Sequence, residues 1–325
     1  MVDTTAPIAE YVEEDFVDDT EVTTPDVSGI RTSLTNIKET TGMKIFKWIN
    51  YGFLTLLCAL TIYPFINLIA MSFSSDGAIR AGRVNVWPVG FNLTTIRAVI
   101  TDQTFWVNYR NTIFYTIVYT LIAMFLTTTL AYVISRPHLR FKSLIVGMAV
   151  FTMFFSGGLV PHFVVVTRWY GLLGSIWALI LPGTLSVFNL LVMKSFFENF
   201  PTELEEAASI DGLNTYGVFL RIVLPLSKAV LATMTLFYAV GMWNSWFGAM
   251  LFMQNRQFQP VTMYLRNLIA GALAVSEVAD TSDAAQVGAN IQAVTMLLTV
   301  LPIMLVYPFV QKYFVSGVML GSVKG

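Results

Sequence analysis

Six stretches of this 325-residue chain are long and apolar enough to cross a bilayer, and none of them contains an aspartate or a glutamate. They fall at residues 48–72, 111–134, 144–166, 176–193, 229–252 and 291–314. A helix rises about 1.5 Å per residue, so a hydrocarbon core of about 30 Å takes about 20 residues to cross. Hydrocarbon offers no hydrogen bonds to an open backbone, which leaves the helix as the form for runs of this length. The expectation is an all-α membrane protein with six transmembrane helices.

Only 12% of the residues are charged, where a soluble domain carries about a quarter. The formal net charge of −1 argues against nucleic acid as a partner. That near-zero sum hides an asymmetry: ten acids precede Lys44, among them Glu13, Glu14, Asp15, Asp18 and Asp19, against Arg31 and Lys38. Such a stretch buries too little apolar area to offset its ordering entropy, so residues 1–43 read as a disordered, acidic cytoplasmic tail and 44–325 as the transmembrane domain. The single cysteine, Cys58, excludes an intrachain disulfide and a cysteine-based metal cage.

Basic residues set the expected orientation. With both termini cytoplasmic, the inner segments hold Arg31, Lys38, Lys44, Lys47, Arg136, Arg140, Lys142, Lys194, Arg221, Lys228, Lys312 and Lys324. The outer ones hold Arg80, Arg83, Arg97, Arg110, Arg168, Arg256 and Arg266. The short turn 136–142, with Arg136, Arg140 and Lys142, decides most clearly for this arrangement.

The largest cytoplasmic connection then covers about residues 195–228, and residues 201–212 within it read as a short helix. Thr202 and Glu205 fit a capping box, and acids in the first turn suit the positive end of the helix dipole. Leu204, Ala207, Ala208 and Asp211 share one face at three- and four-residue spacing, and the two alanines keep it shallow. Gly212 is placed to end the helix in a left-handed conformation. A second helix from Asn214 or Thr215 would expose Phe219, Ile222 and Val223 until Pro225 interrupts it. From patterning alone this is either a knob for another protein to dock on or a loop helix lying on its own bundle.

Glu206-Ala207-Ala208, three residues, Gly212, nine residues, then Ile222-Val223-Leu224-Pro225 resembles the EAA loop of ABC importer permeases. Trp87-Pro88 with Phe91, residues 155–161, residues 177–182, Phe188-Asn189, Met242-Trp243-Asn244 and the terminal run 321–325 are similar to the permeases of complex-sugar importers, in particular the smaller permease of maltose-type systems. One departure is Ala229, where that pattern has a proline. The resemblance implies the type I importer permease fold in the bacterial cytoplasmic membrane. It assigns Glu206, Ala207, Ala208, Asp211 and Gly212 to a surface that couples to a separate ATPase. It also implies a second, homologous permease, two copies of the ATP-binding subunit, an extracellular solute-binding protein and an oligosaccharide substrate. No Gly-x-x-x-x-Gly-Lys-Ser/Thr loop occurs in the chain, so ATP and magnesium belong to the partner and this chain binds no cofactor. Lys324 is a secondary candidate for contact with the ATPase.

Trp243, Trp246, Phe247 and Met250 share one face of the fifth stretch, with Asn244 beside them. Aromatic faces cover the apolar side of sugar rings and amides bond hydroxyls, which suits a glycan path; tryptophans near a span end also anchor at the interface. Asn189, an amide in an apolar run, is read first as a helix–helix partner and second as a substrate contact. Gly157-Gly158 and Pro161 interrupt the third stretch, as a gate or kink or as a site of close packing. An ion-coupled carrier needs ionisable groups inside the membrane, and the absence of carboxylates there tells against it. A membrane enzyme needs a nucleophile with a base or a metal cluster, which two scattered histidines and one cysteine do not supply. An importer of a non-sugar solute is the nearest alternative.

Overall fold

The structure is a computed structural model and describes residues 40–278 and 282–319. It divides into two compact units, Met1–Leu60 and Thr61–Gly325. The described part of the first is the opening of α1 (Thr41–Ser72), helical throughout and carrying Lys44 and Lys47 in its first turns. The helix therefore begins slightly before the expected domain boundary at residue 44. The acidic segment 1–39, the middle of the polar stretch that starts at Glu277, and the C-terminal run with Lys324 lie outside the described residues.

The second unit is organised on α4 (Gln103–Ser135), which follows the short helices α2 (Asp76–Arg80) and α3 (Thr94–Thr101). Its 33 residues include neither glycine nor proline, so nothing interrupts the backbone ladder. At about 1.5 Å per residue it is about 50 Å long. Asp102 caps it, accepting from the Thr104 amide at 2.8 Å. Phe105, Thr112, Tyr115, Ala123, Thr127, Ala131 and Ile134 are buried along it at helical spacing. Against that face pack α8 (Val187–Glu198) and α12 (Lys228–Trp243), and α12 in turn packs on α15 (Ser282–Met319) beside α14 (Val261–Val278).

All six predicted stretches fall on helices, but three of them are broken. The third is α5 (Lys142–Phe154) followed by α6 (Leu159–Val164) with its π-helical extension Val165–Trp169, at an angle of 111°. The fourth is α7 (Trp177–Ile180) and α8, parted around Pro182-Gly183. The fifth ends at Trp243 and resumes as α13 (Phe247–Phe252). Hydropathy does not register such breaks, because neighbouring side chains satisfy the released backbone groups and the composition stays apolar.

At the first break, Gly158 has φ +83° and ψ 172°, a region open essentially to glycine alone. Pro161 lies in the first turn of α6, where its missing N–H has no helical acceptor to lose. Gly157 has no positive φ, and a Cβ there would meet only Pro161 at 4.0 Å. Gly158→Ala should therefore destabilise the protein by about 1–3 kcal/mol, while Gly157→Ala stays near the unmodified value. Thermal unfolding in detergent separates the two; equal midpoints would remove the backbone argument.

The N-terminal end of α4 is held by a set of polar contacts. Asn111 Nδ2 donates to the carbonyls of Gln257 (2.7 Å) and Gln259 (3.2 Å), and the Tyr115 hydroxyl donates to Phe258 (2.8 Å). The Val261 amide donates to Thr112 Oγ1 at 2.8 Å, and the Tyr264 hydroxyl to Asp102 at 2.6 Å. Burial works to raise the Asp102 pKa, but the bonds from Tyr264 and Thr104 outweigh it and hold the carboxyl below its ordinary value.

Candidate coupling surface and central cavity

The connection between the fourth and fifth stretches folds as α9 (Thr202–Ile210), α10 (Thr215–Val218), a π-helical turn at Phe219–Val223 and α11 (Leu224–Leu226). Gly212 ends α9 with φ +86°. Its amide donates to Ser209 (3.1 Å), and the Leu213 amide donates to Ala208 (3.0 Å). This is a Schellman closure, the structural reason for a glycine at that position. Asn214 then caps α10, accepting from the Gly217 amide at 2.8 Å.

Two local expectations are corrected here. The helix begins at Thr202 itself with Pro201 at the cap, so the Thr202–Glu205 capping box does not form. Glu205 turns instead to Arg136 at the end of α4, its Oε2 accepting from Nη1. Phe219 and Val223 are buried and Ile222 is half-buried, because the π turn folds them into the core shared with α4 and α8. The most exposed apolar residues are Ile210 (86%), Tyr216 (79%) and Leu220 (60%), with Leu204 and Leu226 exposed beside them. Among the predicted coupling residues, Glu206, Ala207, Asp211 and Gly212 are exposed. Ala208 is 5% exposed and sits with Phe197, Phe219 and Tyr132 in that core, so it seats the helix and does not form its outer face. Glu205 and Ala208, three residues apart, share the inward side.

Beside this seat, Glu198 accepts from Lys142 and from Lys194, each at 2.7 Å. Burial pushes its pKa up, and the two lysines outweigh that, leaving the carboxyl below its ordinary value. Arg136, Lys142 and Lys194, read from the sequence as orientation signals, thus also serve the packing: Arg136 ties the end of α4 to α9, Lys142 ties α5 to α8, and Lys194 braces the last turn of α8.

A cavity of about 910 Å³ opens between α4, α8, α12 and α15. Ile113, Thr116 and Tyr119 line it from α4, Ser186, Phe188 and Asn189 from the start of α8, Tyr238 and Trp243 from α12, and Pro302 and Ile303 from α15. The surface is mostly apolar, with hydroxyls and one amide distributed over it. The Tyr119 hydroxyl donates to the Gly183 carbonyl (2.6 Å). The Tyr238 hydroxyl exchanges a hydrogen bond with Thr127 (2.6 Å) and accepts from the Ser186 amide (3.1 Å). Two tyrosines therefore satisfy the backbone released where the fourth stretch unwinds, a role that tyrosines inside apolar runs could have signalled.

The structure brings Asn189 and Trp243 to this cavity, and Trp243 also donates from Nε1 to the Thr299 carbonyl at 3.1 Å. It does not bring Asn244, Trp246 and Phe247 there. The helix ends at Trp243, so the single aromatic face expected along the fifth stretch is interrupted. Asn244 is exposed and donates to Val240 at 3.0 Å. Trp246 lies under the Arg266 guanidinium (5.3 Å) with Phe247 edge-on at 5.6 Å. Gly157, Gly158 and Pro161 are likewise absent from the cavity lining.

Residues 105–319 match the family model described as the binding-protein-dependent transport system inner membrane component. The chain is 40% identical to the protein LplC of Bacillus subtilis over 283 residues, covering 87% of this chain and 96% of LplC. It is 37% identical to the polygalacturonan/rhamnogalacturonan transport system permease protein YtcP of the same organism, covering 87% and 99%. Among solved structures it resembles a chain of a bacterial ABC transporter involved in the import of the acidic polysaccharide alginate, with a TM-score of 0.76, 30% identity, and coverage of 85% of this chain and 99% of that one.

Proposed function

The chain belongs to the inner membrane components of binding-protein-dependent ABC transporters, and from that premise we propose that it forms part of the passage by which oligosaccharides enter a bacterial cell. It is a multi-pass permease of the cytoplasmic membrane and a transport subunit, not itself catalytic. The six helical stretches cross the bilayer with both termini in the cytoplasm. The acidic segment before the first crossing and the connection 195–228 both face the cytoplasm.

The observation that carries the mechanism is the exposed knob α9–α11. Its outer side combines Glu206, Ala207, Asp211 and Gly212 with the apolar Ile210, Tyr216 and Leu220, an apolar surface with an acidic rim. A separate ATPase subunit docks there, two copies serving this chain and a second, homologous permease. ATP and magnesium are held by the ATPase. An extracellular solute-binding protein delivers the sugar, and the cavity with Tyr119, Asn189, Tyr238 and Trp243 is this chain's share of the path. Aromatic faces for sugar rings, with an amide and hydroxyls between them, suit a carbohydrate. The polygalacturonan/rhamnogalacturonan and alginate systems among the similar proteins support that class.

The test is ATP hydrolysis by the chain co-assembled in lipid with its partner permease, ATPase and binding protein, the last loaded in turn with oligogalacturonate, oligoalginate or a maltooligosaccharide. Stimulation by one sugar is expected and names the substrate. An assembled complex that responds to none of them would overturn the carbohydrate assignment, and no association with an ATPase would overturn the coupling assignment.

A further inference from the structure

We propose that α4 is the rigid rod that carries motion from the coupling knob to the cavity, and that the Arg136–Glu205 pair is the joint at its foot. The proposal rests on the importer reading and names positioning residues within it. Among the described helices that cover the predicted spans, α4 alone is long, continuous and free of glycine and proline. Helix α1 contains Pro64, α15 contains Pro302 and Pro308, and the other three stretches are broken.

The tethers of α4 are distributed along its whole length. At the external end Asp102, Asn111 and Tyr115 hold the 257–264 segment. In the middle Tyr119 and Thr127 hold the unwound backbone and Tyr238 at the cavity. At the cytoplasmic end Arg136 bonds Glu205, donates to the Phe197 carbonyl at 3.4 Å and to Ser135 Oγ at 3.1 Å, and stacks over Tyr132 at 4.3 Å. A planar guanidinium that divides its donors among the Glu205 carboxylate, the Phe197 carbonyl and Ser135 while stacked on a ring is fixed in direction, unlike a lysine ammonium. The pair is partly buried, at 26% and 16% side-chain exposure, so water screens it little. Glu205 is not on the outer face of the knob. Its charge points into the protein, which suits it to pass a displacement of α9 to α4 and not to receive a partner. A helix without a flexible residue delivers that displacement to Thr116 and Tyr119 at the cavity wall.

The complete complex in proteoliposomes tests this, using the sugar of the panel above that stimulates the unmodified complex. R136E and E205R should each lower sugar uptake per ATP hydrolysed about tenfold with the ATPase still co-purifying, and R136E/E205R should recover most of it. Arg136→Lys, which keeps the charge and loses the bonds to Phe197 and Ser135 and the planar stack on Tyr132, should fall between. Leu121 lies on α4 between Tyr119 and the foot and is 66% exposed. Leu121→Gly should lower uptake per ATP relative to Leu121→Ala. Single variants that transport as well as the unmodified complex, a double swap no better than its parents, or a glycine variant equal to its alanine control would overturn the rod. An unmodified complex without sugar-stimulated hydrolysis would overturn the importer reading instead.

Discussion

Replacing Gly212 by proline should abolish sugar uptake while leaving the chain inserted in the membrane. The residue has φ +86°, and proline fixes φ near −65°. Proline also has no N–H, so the bond from the Gly212 amide to Ser209 disappears, and the neighbouring bond from Leu213 to Ala208 loses its geometry. A Cβ at this site meets no other atom within 4 Å, so the damage comes from the fixed φ, the lost N–H and the ring against its own chain, not from crowding by other elements. The turn that sets α9 against α10 would open, separating Glu206 and Ala207 from Tyr216 and Leu220. If the ATPase reads those residues as one surface, a loss of about 3 kcal/mol in docking corresponds to a drop on the order of 100-fold in uptake. Asp211→Arg attacks the same surface through charge, reversing one member of the acidic rim without touching the turn backbone. Uptake in proteoliposomes, read beside the amount of ATPase that co-purifies, is the measurement. Normal uptake by either variant would remove these residues from the coupling surface.

Phe197→Ala should be the most destabilising single truncation in the seat of the knob. The ring is 1% exposed, edge-on to Tyr132 at 5.9 Å, in the core that also buries Ala208, Phe219 and Val223. Truncating a buried phenylalanine removes its transfer free energy and leaves a cavity, together about 3–5 kcal/mol. Because the Phe197 carbonyl also accepts from Arg136, collapse around the cavity would shift the end of α4. Phe188→Ala provides the contrast: that ring is 58% exposed and lines the central cavity, so its loss should change stability little. Thermal unfolding in detergent compares them. Equal effects would mean that this core is not the seat described.

Much of the coupling segment was legible because its signals are local. A glycine at the end of an acidic, alanine-containing helix has one economical explanation, and the structure bears it out in the φ of Gly212 and the bonds around it. The capping box failed because Glu205 had a stronger option, an arginine far away in sequence, and no local pattern contains it. The same limit applies to Phe219 and Val223. Helical periodicity placed them outward, whereas the π turn and the core under it turned them in. Trp246 and Phe247 left the expected path because a helix break costs little where the Thr262 hydroxyl donates to the carbonyl of Ser245 at the break.

The sequence by itself determined that the chain is helical and membrane-embedded, where its apolar stretches lie, and that a glycine-terminated helix lies in the connection between the fourth and fifth of them. Those properties follow from summed hydropathy and from backbone preferences of single residues, which act within a few positions. Only the tertiary structure decided which stretches stay whole, which tyrosines close the breaks, that Asn189 and Trp243 meet at one cavity while Asn244 does not, and that Arg136 serves as an anchor. Each of these depends on a hydrogen bond or ion pair between residues distant in the chain, and a buried polar group accepts whichever partner the packed helices bring within reach.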